Sequence, residues 1–405
     1  MMSKSLFSWF VWFVVSIFYA YQYIVRVLPN IIMPDVMNKF QLNAALFGQF
    51  SGIYYLSYAL MHIPLGILLD RYSPKKILSF SIVLTAIGLL PLIYSNTWFL
   101  PLFGRLLVGC GSSAAILGVF KIIRIFFPED HFTRMLGLSV TIGLCGAIYG
   151  GEPLEYLKQE KGWEFLVHAL FFAGIALAFL TYLLVPNHSA QELDKKNAIM
   201  ADIFQVLTHK KVVLVCVLGG LMVGPLEGFA DVWGKEFFKA VYNFSDNVSA
   251  RLPSLTFLGM CFGASVLSYI ADKTKAYYPI VILSAFIMGI SFVFILLKVF
   301  SETYLSFLLV LVGVLSAYQI PVIYKASCYV EESKMGLCTS CANMIIMLFG
   351  YVFHSSIGIL MDMKSQVNNV YKAEDYIFSI SVIPLALFFA ACGFYLIYKG
   401  EQQKT

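Results

Sequence analysis

Two arginines and two carboxylates interrupt otherwise apolar stretches of this chain. Arg26 follows Tyr19, Gln22 and Tyr23 at i−7, i−4 and i−3, so the four share one face of a helix. Arg105 leads the small-residue run Gly109, Cys110, Gly111, Ser112, Ser113. Glu227 and Asp231 stand at i, i+4, again on one face, with Pro225 and Gly224, Gly228 and Gly234 permitting a break in their helix. An ionised side chain at membrane depth costs roughly 2.5–3.5 kcal/mol on insertion scales, so such groups face a cavity, a partner or an aqueous path. Arginine takes a carboxylate by paired charge-assisted bonds, and a carboxylate takes an ammonium. Arg26 and Arg105 set against Glu227 and Asp231 therefore suit a zwitterionic amino acid, and equally a dipeptide. Two blander readings compete: Arg26 snorkels to the interface among its tyrosines, or the helix ends early and both Glu227 and Asp231 are solvated outside.

Further polar groups stand on apolar segments: Tyr318 and Gln319, with Pro321 and Tyr324 following, and Asn343. They serve as side-chain selectors or as interhelical glue. Trp233 is a wall or gate residue, or an interfacial anchor. Glu152 follows Gly150 and Gly151, where it pairs with an arginine or carries a proton, and Glu155 one turn on is placed at the interface. A carboxylate that exchanges apolar for arginine-lined surroundings changes its proton affinity, which makes Glu227 and Glu152 the proton-coupling candidates.

The elements that must position these residues are membrane helices. The 405 residues are 60% hydrophobic and 13% charged, far from the roughly 25% charge of soluble domains. Apolar runs near 6–28, 45–69, 77–95, 98–122, 135–157 and 163–185, then 211–234, 249–271, 278–298, 304–326, 336–361 and 376–398, predict twelve spans. The stretch between the two sets, with His188 and Lys195, is a linker. The expected organisation is a six-helix bundle over 1–185, a cytoplasmic linker over 186–210 and a second bundle over 211–405.

Lys and Arg crowd the loops on the side of both termini, which places the termini in the cytoplasm. Lys39, Lys158 and Lys235 are assigned to the opposite side. The first apolar segment is too long for a cleaved signal. The net charge of +5 is scattered rather than striped, so no nucleic-acid partner is expected. No phosphate-binding loop, nucleophile elbow or metal-ligand spacing occurs, so no cofactor, metal or enzymatic activity is expected. The eight cysteines, Cys338 and Cys341 among them, read as packing residues.

Between spans 2 and 3 the chain reads Gly66–Ile67–Leu68–Leu69–Asp70–Arg71–Tyr72–Ser73–Pro74–Lys75–Lys76, and a weaker copy ending in Asp272–Lys273–Thr274–Lys275 recurs between spans 8 and 9. These resemble the signature loop of the major facilitator superfamily, departing from it at Ser73 and Pro74. Arg105 with its small-residue run resembles that family's span 4 motif. The span 5 antiporter motif is incomplete, because Ala147 stands where a proline would follow Gly146; Gly143, Gly146 and Gly150 read as a close helix contact. The stretches Tyr21–Pro29 and Gly224–Gly234 are similar to those of the phagosomal nutrient transporters of intracellular bacteria. The resemblance implies an all-α membrane protein, twelve transmembrane helices in two pseudo-symmetric six-helix bundles, with spans 1 and 7 lining the pathway. It also implies a gating latch of Gly66, Asp70, Arg71 and Asp272, in which Gly66 permits close helix approach and Asp70 pairs with a helix end or an arginine of a neighbour. The function expected is import of an amino acid by proton symport and alternating access, by a monomer in the bacterial inner membrane. The alternatives are a dipeptide importer, an exporter of a drug or siderophore, and a membrane sensor or scaffold.

Overall fold

Proline decides the shape of the first helix. In a computed structural model that describes residues 4–187, 196–365 and 370–403, α1 runs Leu6–Phe40 without interruption although Pro29 and Pro34 lie inside it. The expected end at residue 28 is thus corrected. A proline in a helix removes one backbone bond and leaves the carbonyl four residues earlier without its donor. For Pro29 that carbonyl belongs to Val25, and it is satisfied from outside α1, as described below.

Among the described residues the chain is helical, with no strand. After α1 come α2 Ala44–Arg71, α3 Pro74–Tyr94, α4 Phe99–Phe126, α5 Glu129–Tyr149, α6 Glu152–Lys161 and α7 Trp163–Leu184. The later elements are α8 Lys196–Thr208, α9 Lys210–Gly220, α10 Gly224–Trp233, α11 Gly234–Tyr242, α12 Asp246–Thr274, α13 Tyr277–Leu296, α14 Glu302–Ser327, α15 Glu332–Lys364 and α16 Ala373–Gln402. Among the described residues eleven helices are long and apolar enough to cross a membrane, and twelve if the pair Ala201–Thr208 and Lys210–Gly220, bent by 68°, is one crossing. Helices are what lipid allows, since each backbone polar group must be satisfied within the segment. Residues 188–195 of the expected linker, His188 and Lys195 included, lie outside the described residues.

The chain divides into two compact units, one of Met1–Gln41 and Ile53–Asp194, the other of Leu42–Gly52 and Lys195–Thr405. In the first unit α1 lies directly on α5. A Cβ at Gly146 would stand 2.2 Å from Ala20 O, and one at Gly143 would stand 2.5 Å from the Tyr19 ring. Trp12 Nε1 donates to Ser139 Oγ at 2.8 Å across the same seam. The span 5 glycines therefore form the close contact expected of them. The small run of α4 works alike: a Cβ at Gly109 would meet Tyr54 O of α2 at 2.3 Å. Without a hydrophobic drive between helices in lipid, such close backbone approach supplies the packing attraction.

In the second unit α12 and α14 cross at reciprocal glycines, where a Cβ at Gly259 would lie 2.0 Å from Val310 O and one at Gly313 would lie 2.0 Å from Thr256 O. The first turn of α2 is capped from α15. Asp362 accepts from Ala44 N at 3.1 Å and from Ala45 N at 2.9 Å, and Tyr371 OH donates to the same carboxylate at 2.6 Å. Two of the four donors that open a helix are satisfied this way by a residue far along the chain.

The expected seventh span, 211–234, is not one helix. After α9 the backbone turns through Leu221–Val223, then α10 follows an i→i+5 ladder, and α11 resumes α geometry to Tyr242. Pro225 supplies no N–H at the entry, and wide turns of this kind occur mostly as short insertions at functional sites.

Candidate functional site

In the first unit the polar face of α1 meets three tyrosines of α2 and one arginine of α4. Consecutive residues of a helix point about 100° apart, so Tyr54 and Tyr55 present their rings to different groups. Arg105 Cζ lies 4.8 Å from the centre of the Tyr54 ring. Arg26 Cζ lies 5.0 Å from the Tyr55 ring and 5.0 Å from the Tyr23 ring. Tyr54 OH donates to Gln22 Oε1 at 2.7 Å, Tyr19 packs edge-on to Tyr23 at 5.2 Å, and Tyr58 stacks on Tyr54 at 5.8 Å. Arg26 and Arg105 are 6% and 4% exposed, so Arg26 is buried rather than snorkelled. Tyr19, Gln22 and Tyr23, read from the sequence as one face with Arg26, do form one cluster.

Arg105 is bonded to backbone. Its Nη1 donates to Val25 O at 2.8 Å and its Nη2 to Arg26 O at 2.7 Å. The first of these is the carbonyl that Pro29 deprives of its donor. Arg105 therefore holds the proline-bearing turn of α1 and, through it, the residue that carries the Arg26 side chain.

Glu152 does not lie inside a span. Gly150 and Gly151 end α5, Glu152 opens α6, and its side chain is half-buried. Glu155, placed at the interface by the sequence, is 2% exposed and accepts from Gln159 Nε2 at 3.2 Å. The glycine break ends the span, so both acids lie on α6. At the end of α6, Lys158 pairs with Asp35 at 2.7 Å and donates to Ile31 O at 2.9 Å, binding α6 to α1.

In the second unit Glu227 and Asp231 lie on α10 and are 3% and 0% exposed, so Asp231 is not solvated. Trp233 is fully buried, edge-on to Phe47 at 6.0 Å, and does not serve as an interfacial anchor. Lys235 is 1% exposed, with Glu236 Oε1 3.9 Å from its Nζ. The sequence reading had put it outside the membrane. Tyr318 OH donates to Gly219 O at 2.8 Å, where α9 stops; Gln319 is buried and Asn343 half-buried.

The signature loop is resolved in detail. Asp70 pairs with Lys121 at 2.9 Å, Arg71 is half-buried, and Lys75 Nζ lies 4.4 Å from the Tyr182 ring. Ser73 and Pro74 occupy the cap and first position of α3, where proline costs nothing because the first N–H groups of a helix have no intrahelical acceptor. Gly66 departs from expectation: within its unit an added Cβ would meet no heavy atom within 4 Å, so close packing is not what places a glycine there. Asp272 is exposed and accepts from Tyr277 OH at 3.3 Å.

The sequence profile of the Major Facilitator Superfamily matches residues 11–355. The chain belongs to that superfamily. This facilitator is 22% identical over 408 residues to the "Uncharacterized transporter YybO" of Bacillus subtilis (strain 168), an alignment covering 93% of this chain and 92% of that one. Its fold is shared with a bacterial homologue of the human lysosomal transporter Spinster, solved inward-facing and unoccupied, at a TM-score of 0.75 and 16% identity over 96% of each chain. It is shared also with a D-xylose-proton symporter, at a TM-score of 0.69 and 14% identity over 96% of this chain and 97% of that one. The facilitator is thus a multi-pass secondary transporter of a small molecule, and not an enzyme.

Sequence reasoning did not name the buried Tyr54 and Tyr55 of this facilitator, and it placed Lys235 and Glu155, both buried, without giving them a role. The tyrosine pair was legible only as apolar filling, because its spacing carries no polar period. Lys235 continues the i, i+4 spacing of Glu227 and Asp231 by one more step, and that step was the available signal.

Proposed function

We propose that this facilitator imports a zwitterionic amino acid across the bacterial inner membrane by proton symport and alternating access, as a monomer with both termini in the cytoplasm. The observation that carries the reading is Arg26, a buried guanidinium set between the rings of Tyr23 and Tyr55. Rings on its flanks turn the in-plane N–H donors into the edge that meets a carboxylate. Tyr19, Gln22 and Tyr23 complete that surface, and Arg105 positions it. Glu227 and Asp231, buried on α10, receive the ligand's ammonium. Gln319 and Asn343 select the side chain, while Tyr318, whose hydroxyl is engaged by Gly219, shapes the break before α10.

Proton coupling is assigned to Glu227 and Glu152. It is supported by the shared fold of the D-xylose-proton symporter and by the general sensitivity of a buried carboxylate to its surroundings. Gly66, Asp70, Arg71 and Asp272 form the gating loops. The likeness of Tyr21–Pro29 and Gly224–Gly234 to phagosomal nutrient transporters supports an amino acid as cargo.

The test is uptake of a labelled amino-acid panel into proteoliposomes with an imposed inward proton gradient. Saturable uptake of one or a few amino acids, lost in Arg26→Ala and in Glu227→Gln, is expected. Transport of peptides, drugs or sugars with no amino acid moving overturns the reading and leaves the fold.

A further inference from the structure

The roles above leave a buried imidazole of the first unit without a task. His62 of α2 is 6% exposed, and its Nδ1 has no hydrogen-bond partner among the described residues. His168 of α7, in the same unit, shows how a structural histidine is held: its two nitrogens are engaged by Glu164 O and by Tyr94 OH, each at 2.9 Å. Buried polar atoms in folded proteins are satisfied by protein, by water or by a ligand, so the open nitrogen of His62 indicates a partner that comes and goes. Its place on α2 shows from where. Tyr54, Tyr58 and His62 stand at i, i+4 and i+8, one face of a helix at steps of about 6 Å. Their rings form one column: Tyr58 stacks on Tyr54 at 5.8 Å, and His62 lies tilted against Tyr58 at 5.7 Å. Tyr54 opens the column at Gln22 and Arg105, where the polar face of α1 begins. His62 closes it on the side of Arg71, where α2 ends.

We propose that His62 is a second, proton-dependent carboxylate site: it binds a proton together with the ligand's carboxylate at the far end of the aromatic column, and so couples the two. Imidazole is the side chain that ordinarily changes charge near neutral pH. The Nδ1 lone pair takes the proton, and the new N–H donates to the carboxylate as a charge-assisted bond. Neither arrives well alone, because a buried imidazolium needs a counter-ion. The titratable or charged groups brought to α2 are Tyr19, Tyr23 and Arg26 of α1 and Arg105, Cys110 and Lys121 of α4. None of them forms a hydrogen bond or ion pair with His62 among the described residues. The anion that balances the imidazolium is therefore the ligand's, and proton and carboxylate each strengthen the other's binding, a coupling that is reciprocal by thermodynamics. His62 thereby joins the acids assigned above as a coupling group. The inference rests on the reading of proton-coupled import, and needs of the cargo only a carboxylate.

The experiment is uptake of labelled leucine and of labelled alanyl-leucine into proteoliposomes. An inward gradient of about one pH unit drives up to about tenfold accumulation for each coupled proton. Wild type is expected to accumulate at least one probe above its external concentration. His62→Gln keeps a hydrogen-bonding side chain and cannot hold the proton. It is expected to bring that probe to the external concentration and no further, while counterflow exchange, which needs no net proton movement, persists at a reduced rate. Accumulation retained in His62→Gln, or accumulation and counterflow lost together, overturns the proposal. If the variant does not fold, or wild type accumulates neither probe, modification of the wild-type protein by diethyl pyrocarbonate decides. The reagent attacks neutral imidazole, and mass spectrometry of peptides reads it at His62. A rate at His62 that falls as pH drops through the imidazole range, with a midpoint that rises when sodium acetate replaces sodium chloride, supports the proposal. No modification, a rate independent of pH, or a midpoint that acetate does not move overturns it. That acetate response with both probes immobile removes the amino-acid and dipeptide readings and leaves the site at His62 standing.

Discussion

Arg105 Nη1 lies 2.8 Å from the carbonyl oxygen of Val25, the carbonyl that Pro29 leaves without a donor. An arginine in the apolar run of α4 and a proline in the middle of α1 each look costly alone. Together they solve one another. The guanidinium finds acceptors at depth, and the helix passes a proline without ending.

That pairing makes a stability prediction. Arg105→Leu leaves a buried carbonyl unsatisfied and is expected to cost about 1–3 kcal/mol. In a Pro29→Ala background the cost shrinks, because the substitution returns an N–H to the helix. A double-mutant cycle on thermal melting measures the coupling, and additive losses would separate the two residues.

Tyr55 is predicted to act through its ring. A cation–π contact away from water is worth up to about 2 kcal/mol, so Tyr55→Leu should lower kcat/KM for uptake by roughly tenfold. Tyr55→Phe should remain within about twofold of wild type, since the ring stays over Arg26. An equal loss in both variants would shift the role to the hydroxyl.

Asp362 is predicted to anchor the start of α2. Asp362→Ala removes acceptors from Ala44 N and Ala45 N, a capping loss of about 0.5–2 kcal/mol. Asp362→Asn keeps one acceptor and should lose less. Hydrogen exchange of the peptide over residues 44–47 reads the effect directly: exchange as slow in Asp362→Ala as in wild type would refute the cap.

An alkaline limit is expected at Tyr329. Burial, and then the hydrogen bond it makes to Glu401, push its hydroxyl up from 10.0 to about 12. A tyrosine whose proton is held more tightly in the folded state contributes stability that is intact below pH 10 and lost as pH rises through about 12. Melting temperatures of wild type and Tyr329→Phe should therefore converge over that window, and a constant difference across it would discount the Tyr329–Glu401 contact.

Much of the architecture was legible because lipid leaves the backbone so few choices. Apolar runs of sufficient length, interrupted by charge, located the membrane helices, and glycines at helical spacing on α5 marked the seam with α1. The chemistry-bearing face of α1 was legible for the same reason: Tyr19, Gln22, Tyr23 and Arg26 share a helical period, and a period is a property of sequence.

Where the reading failed, a partner from a distant segment decided the outcome. Pro29 looked like the end of a span until Arg105, 80 residues from Val25, supplied the bond it removes. Glu152 lies outside the fifth span because Gly150 and Gly151 end α5 before it. Lys235 was assigned to the side opposite the termini, yet it is 1% exposed at the start of α11, directly after the i→i+5 turns of α10. By itself the sequence determined which segments enter the membrane and which side chains share a helix face, since both follow from local composition and spacing. Only the tertiary structure decided which of those polar side chains support the backbone and which are left to meet a ligand, because a buried polar group's role depends on the partners that packing brings to it.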